Sequence, residues 1–335
     1  MSASGGRSAA GHVRALVGSV AVGVLLTATA CDQGGPSTAQ KPLNSPGSSP
    51  GAVKILSTTA LTARLLQLTI ESRAVGARVS VRLLLPADYA RTTGRFPVLY
   101  LLHGCCDDYR SWTRYTDIEA RSAHTEVLIV MPDAGPVGFY TNWLQGPQWE
   151  TFHLVELRHI LEQHFRASDV RAIAGLSMGG LGALSYAARH PGMFRAAASF
   201  SGIVDTRLSP QESSAYQQLV SGYGQDPEDL WGDPTTAAAT WAAHNPYDLA
   251  AKLRGVRIYL SAGTGTPGPL DPDGTAQDPI EASIHAENVA FADRLRSLHI
   301  PVTTDFYGPG THSWPYWQRE LGRAWPMLTA SLHAS

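Results

Sequence analysis

The sequence predicts an α/β fold: a mostly parallel, doubly wound sheet preceded by antiparallel strands. Three observations carry that expectation. Continuous apolar runs, Phe96 to Leu102, Val127 to Met131, Val170 to Ala174, Ala196 to Phe200 and Val256 to Leu260, read as strands buried on both faces. Helical patterns separate several of them, about Ile118 to His124, Thr151 to Phe165 and Leu181 to His190. Strand and helix in alternation imply a parallel sheet covered on both sides. Ahead of these, Leu65, Leu68 and Ile70, then Val79, Val81, Leu83 and Leu85, alternate with other residues on either side of Gly76, as half-buried antiparallel strands do.

The chain opens differently. Arg7 and Arg14 lie in a polar start, followed by an apolar stretch from Ala15 to Leu26 and by Ala28-Thr29-Ala30. That is the three-part pattern of a secretory signal, and its core is shorter than the roughly 20 residues a membrane span needs. Asp32 to Gly51 is rich in Gly, Pro, Ser and Thr and reads as a flexible tether. The expected organisation is a signal peptide over 1–30, a linker over 31–60 and one folded domain over 61–335. The residue after the expected cut is Cys31, and Ala28-Thr29-Ala30-Cys31 resembles a bacterial lipobox, which implies lipidation of Cys31. An ordinary signal-peptidase site at the same bond is the alternative. The protein is therefore expected outside the cytoplasm, anchored to the membrane surface as a lipoprotein or secreted.

Composition excludes other classes. The 335 residues are 44% hydrophobic, enough for a substantial core, and a formal charge of -2 gives no reason to expect a nucleic-acid partner. No Cys/His cluster has zinc-ligand spacing and no H-E-x-x-H occurs, so neither a metal nor another cofactor is expected. Cys105 and Cys106 are adjacent, and neighbouring cysteines do not close an ordinary disulfide without strain. Two stretches interrupt the strand–helix alternation, Asp205 to Asn245 and Gly263 to Pro279, and segments this long are usually lids or binding loops. Ile280 to Leu298 then reads as helix, Val302 to Tyr307 as a last strand and Trp317 to Leu332 as a closing helix.

The chemistry centres on Gly175-Leu176-Ser177-Met178-Gly179, set between an apolar run and a helical stretch. Strand, sharp turn and helix form the context in which G-x-S-x-G presents a nucleophilic serine. Among 32 glycines the pentapeptide alone is weak, so its partners decide. Such a serine needs a base, an acid that orients the base, and donors for the oxyanion, in the chain order Ser, acid, His. His312, in the loop after the last strand, fits as base. His153, His159, His164, His285 and His299 read as surface or packing residues. The acid should follow Val256 to Leu260, where spacing leaves Asp271, Asp273, Asp278, Glu281, Glu287 and Asp293 open. The oxyanion donors should be the amides of Met178 and Cys105, the latter in His103-Gly104-Cys105.

Several segments, in order, are similar to the antigen 85 mycolyltransferases of the esterase D-like branch of α/β-hydrolases. They are Gly138-Phe139-Tyr140-Thr141-Asn142-Trp143, Trp149-Glu150-Thr151-Phe152, Gly175-Leu176-Ser177-Met178 and Thr311-His312-Ser313-Trp314-Pro315-Tyr316-Trp317. The resemblance runs from about Leu61 to Leu332. It implies the α/β-hydrolase fold, a catalytic domain over 61–335, Ser177 as nucleophile, His312 as base, and Cys105 and Met178 as oxyanion donors. A family segment similar to Ala286-Glu287-Asn288 points to Glu287 as the acid, with Asp278 or Glu281 as fallbacks. Trp314 matches a tryptophan that lines the family's site. The family carries an aspartate that helps hold trehalose where this chain has His103, and a substrate-contacting arginine where it has Cys106. His103 and Trp314 are accordingly the expected substrate-binding residues. The function implied is a serine esterase acting on small-molecule or lipid esters. The alternative is an acyltransferase passing the acyl group to a sugar or glycerolipid alcohol, and a non-catalytic envelope protein comes third.

Overall fold

The structure is a computed structural model that describes residues 53–333. The expected signal peptide over 1–30, Cys31 and most of the expected linker lie outside the described residues. The strands are β1 Lys54–Ala60, β2 Leu65–Ser72, β3 Ala77–Leu84, β4 Phe96–Leu102, β5 Leu128–Pro132, β6 Ala167–Leu176, β7 Ala196–Phe200, β8 Arg257–Ala262 and β9 Val302–Phe306. They form one 9-stranded sheet in the order β1-β2-β3-β5-β4-β6-β7-β8-β9. The β1, β2 and β3 strands pair antiparallel, β3 pairs antiparallel with β5, and the pairs from β5 to β9 are parallel. β1 corrects the expected linker, since its residues fall inside 31–60. Its side chains are almost all exposed on a sheet edge, so no apolar alternation marked it.

Helices cover both faces. In chain order they are α1 Ser111–Tyr115, α2 Ile118–Arg121, α3 Trp149–Thr151, α4 Arg158–His164, α5 Met178–Arg189, α6 Pro210–Gly222, α7 Glu228–Trp231, α8 Ala238–Ala242, α9 Pro246–Leu249, α10 Pro279–Ser297 and α11 Trp314–His333. A π-helical segment, Phe152–Leu157, joins α3 to α4. The side-chain period of two divides β4 between the faces. Val98, Tyr100 and Leu102 enter a core with residues of α4, α5 and α10, while Leu99 and Leu101 enter one with Trp112 of α1 and with α11. α11 docks through a stripe at helical spacing, Trp317, Leu321, Ala324, Leu328 and Leu332, all buried.

The segment from Asp205 to Asn245 is no open loop. It holds α6, α7 and α8, and joins the main core through Trp231 and Trp241, both fully buried, with ring centroids 5.1 Å apart. Ser209 caps α6 by accepting from the Glu212 amide at 3.2 Å. Pro punctuation and small residues hid these helices from the sequence pattern.

Strand order positions the site. The chain goes from β4 outward to β5 on one side, then returns to lay β6 on the other side of β4. Loops leaving the carboxyl ends of β4 and β6 therefore part at this reversal, which is where open α/β sheets hold their ligands. His103-Gly104-Cys105 follows β4 and Ser177 follows β6.

Candidate active site

Ser177 stands between β6 and α5 with φ 52° and ψ -121°. That is left-handed backbone, which a non-glycine residue adopts only when its surroundings impose it. They do so here on both sides. The Ser177 amide extends the β-ladder to Phe200 O at 3.1 Å, and its carbonyl already accepts from Gly180 at 2.9 Å, the first turn of the helix. A Cβ at Gly175 would collide with the backbone of Gly179, so the outer glycines let strand and helix close to this distance. The serine itself is 9% exposed.

Register brings the other groups to the same edge. Gly175 lies beside Ser199 and Phe200 beside Ser261, while Ala262 lies beside Phe306. Ser201 continues the ladder by donating its amide to Ser261 O at 2.7 Å. Hence Ser177, Ser201, Gly263 and Tyr307 emerge from successive strand ends.

Glu281 closes this row. It sits in the first turn of α10, fully buried, and its Oε2 is 2.7 Å from His312 Nδ1. Its Oε1 accepts from Gly263 N at 2.6 Å, from Ser201 Oγ at 2.8 Å and from Tyr307 OH at 3.4 Å. A carboxylate out of water needs such donors, and with them it can hold the imidazole in the tautomer that leaves Nε2 free to accept a proton. His312 keeps 15% of its side chain exposed. None of its hydrogen bonds among the described residues reaches Ser177. Such contacts are commonly long in unliganded enzymes and tighten with substrate.

Glu287, the acid implied by the resemblance, has no hydrogen bond to His312 among the described residues. Its Oε2 accepts from the amides of Val204 at 3.1 Å and Asp205 at 3.2 Å, and Tyr216 OH donates to its Oε1 at 3.4 Å. The reason is helical rise: six residues carry it about 9 Å farther down α10 than Glu281, away from the strand ends. Burial, reinforced by the Glu212 charge, raises its carboxyl from 4.5 to about 8, against the opposing amide bonds. The folded protein thus holds a proton that the unfolded chain releases from about pH 4.5 upward. This contribution to stability falls as pH rises through that window and is fully lost above about 8. Glu287→Gln, a neutral isostere, should leave stability near wild type at pH 5. At pH 8.5 it should raise stability by on the order of a few kcal/mol, read as a melting temperature less sensitive to pH.

His103, expected to contact substrate, is fully buried. Its Nε2 accepts from the Ala134 amide at 3.0 Å, which leaves Nδ1 to donate to Gly104 O at 2.8 Å. Tyr140 OH donates to the His103 carbonyl at 3.0 Å, and Cys106 donates its amide to Pro136 O at 3.0 Å. These bonds fix the loop after β4. A Cβ on Gly104 would lie 3.2 Å from Ser177 Cβ, which sets this loop directly against the elbow. Among the described residues no hydrogen bond engages the amides of Cys105 or Met178, the two expected oxyanion donors. The cysteines also depart from expectation. Cys106 turns the chain with φ 67°, and its sulfur is bonded to that of Cys105.

An aromatic wall adjoins His312. Its ring meets Trp317 edge-on at 4.9 Å, Trp317 meets Trp314 at 5.3 Å, and Trp314 lies against Tyr115 at 4.9 Å. Trp314 Nε1 donates to Asp107 Oδ2 at 3.2 Å, tying the wall to the loop after β4. His153 is a packing residue, held between Tyr186 OH and Asp133 O at 2.9 Å each.

Sequence reasoning did not identify Ser201, Tyr307 or Gly263 as partners of the acid. One signal for Glu281 was present: Asp278-Pro279-Ile280-Glu281 is an N-cap, a proline in the first turn and an acid at the third position, the signature of a helix start. A first-turn acid after a strand's carboxyl end lies at the catalytic edge.

Known proteins agree with this architecture. The Esterase family model matches residues 72–328. An esterase of Mycobacterium tuberculosis strain H37Rv is 37% identical over 255 residues, covering 71% of this chain. That match spans 53% of the relative's own length, so the chain spans about half of it. The diacylglycerol acyltransferase/mycolyltransferase Ag85A of Mycobacterium leprae is 30% identical over 71% of this chain and 76% of that protein. Among solved structures, Mycobacterium tuberculosis MPT51 superposes with a TM-score of 0.67 at 24% identity, covering 84% of this chain and 100% of that one. The fold is that of the α/β-hydrolases, and the chain belongs to the esterase family with antigen 85 relatives.

Proposed function

We propose that the protein is an extracytoplasmic serine esterase that cleaves carboxylic esters through an acyl-serine intermediate. The observation that carries this reading is the Glu281–His312 pair, 2.7 Å apart, at the edge where Ser177 is held in its left-handed turn. Ser177 Oγ attacks the ester carbonyl while His312 Nε2 takes its proton. Glu281 orients the imidazole and stabilises the imidazolium that forms. The carbonyl oxygen, now negative, is held by the amides of Met178 and Cys105. His312 then returns the proton to the departing alcohol. A water, activated by the same imidazole, releases the acid and regenerates Ser177.

Transfer to an alcohol uses every one of these groups, because only the second nucleophile differs. The similarity to antigen 85 enzymes and the Trp314 wall beside His312 favour this second reading, with a sugar or glycerolipid hydroxyl as acceptor. Membrane attachment through Cys31 belongs to the same proposal, as it would hold the enzyme near lipid esters. Among the described residues no helix is long and apolar enough to cross a membrane. Product analysis with a long-chain acyl donor, with and without a sugar acceptor, separates the two activities. An esterase yields free acid in both mixtures, and acyl sugar as the main product would replace hydrolysis by transfer.

A further inference from the structure

The loop between β8 and α10, Gly263 to Asp278, reads in the sequence as a lid or binding loop, yet it is fastened to the loop that carries His312. Thr264 donates its amide to Gly308 O at 2.7 Å, Gly265 to Gly310 O at 3.0 Å, and Gly310 returns one to Thr266 O at 2.6 Å. Farther on, Asp271 accepts from Thr311 Oγ1, and from Tyr316 OH at 2.8 Å. Burial alone would raise the Asp271 carboxyl, but these bonds and one from the Gly268 amide hold it below its ordinary value. The two loops are thus zipped together, and Asp278 is where the zip reaches His312 itself.

Asp278 divides its two oxygens. Oδ1 accepts from the amides of Ile280 at 3.0 Å and Glu281 at 3.1 Å, which caps α10. Oδ2 accepts from the His312 amide at 2.8 Å. One planar carboxylate therefore grips the backbone of the acid with one oxygen and the backbone of the base with the other. The Glu281–His312 contact spans the same two segments on the side-chain level. We propose that Asp278 is a positioning residue that fixes the distance between Glu281 and His312 by holding both main chains. The proposal rests on the triad reading above, but it assigns Asp278 no proton and no contact with substrate. A helix cap alone needs one acceptor. The second bond, to a residue 34 positions away in the chain, is what a cap does not explain.

The test separates cap from clamp. Ser and Asn both cap helices well, but neither can accept from both segments as a carboxylate does: the Ser hydroxyl is shorter, and the Asn side chain has one acceptor oxygen. Asp278→Ser and Asp278→Asn should keep the melting temperature within about 2–3 °C of wild type. Their kcat for a p-nitrophenyl ester should fall about 10- to 100-fold with KM little changed, because a small misplacement of a catalytic pair acts on the chemical step. Their rate of fluorophosphonate labelling should fall in parallel. Asp278→Ala should lose the same activity and, in addition, melting temperature. Wild-type kcat in a folded Asp278→Ser or Asp278→Asn protein would overturn the clamp and leave a cap. A kcat loss matched by an equal rise in KM would overturn it too, since that marks substrate binding. Ser177→Ala is the control for the reading beneath: if it remained active, the triad would fail whatever Asp278 did.

Discussion

Ser177→Ala should lower turnover of a p-nitrophenyl ester by on the order of 10⁵- to 10⁶-fold, leaving only what the oxyanion amides and binding supply. The expectation follows from the elbow. Its φ of 52° is imposed by the β-ladder before it and the helix after it, so alanine takes the same backbone and the fold survives. With the hydroxyl gone, no other side chain stands at the strand-to-helix turn to accept the acyl group. Melting temperature should change by no more than about 2 °C, since a single hydroxyl is removed and the backbone bonds of the elbow stay. Steady-state kinetics beside a thermal melt checks both halves of the statement.

Glu281→Gln comes next in size, with kcat reduced on the order of 10³-fold or more. The carboxylate accepts on both oxygens, from Gly263 and Ser201 on one side and from His312 Nδ1 on the other. An amide has a single acceptor. If its oxygen keeps the donors of Gly263 and Ser201, its NH₂ faces His312 and selects the tautomer with Nδ1 unprotonated, the wrong one for a base at Nε2. If it turns round, the NH₂ confronts the Gly263 amide. Glu287→Gln at the same assay pH should keep kcat within about 3-fold, since neither orientation touches the site. Finding the large loss at Glu287 and not at Glu281 would return the triad acid to the residue implied by resemblance.

The central fold was legible because burial on both faces writes itself into continuous apolar runs. β4 to β8 all lie within a few residues of their expected positions. β1 was not legible, because an exposed edge strand has no buried face to impose a pattern. The helices between Asp205 and Asn245 were hidden for a related reason: α6 buries few apolar side chains, and α7 and α8 are too short to show a periodic stripe.

In the proposed site, Ser177 and His312 stood out as candidates from chain order and local motif. The acid could not be chosen that way. Six acidic residues lie between β8 and β9, and the choice depends on where each one falls in the loop or along α10, a matter of ångströms per residue rather than of residue type. His103 suits substrate contact by residue type, and its partners, the Ala134 amide, Gly104 O and Asp133, appear only in the packed loop.

The site of covalent capture tests Ser177 as the nucleophile most directly. The protein is treated with a fluorophosphonate, digested, and its peptides mapped by mass spectrometry, alongside Ser177→Ala and Glu281→Gln. One adduct is expected, on Ser177, absent from Ser177→Ala and formed far more slowly in Glu281→Gln. An adduct on another residue, or undiminished labelling of Ser177→Ala, would contradict that assignment.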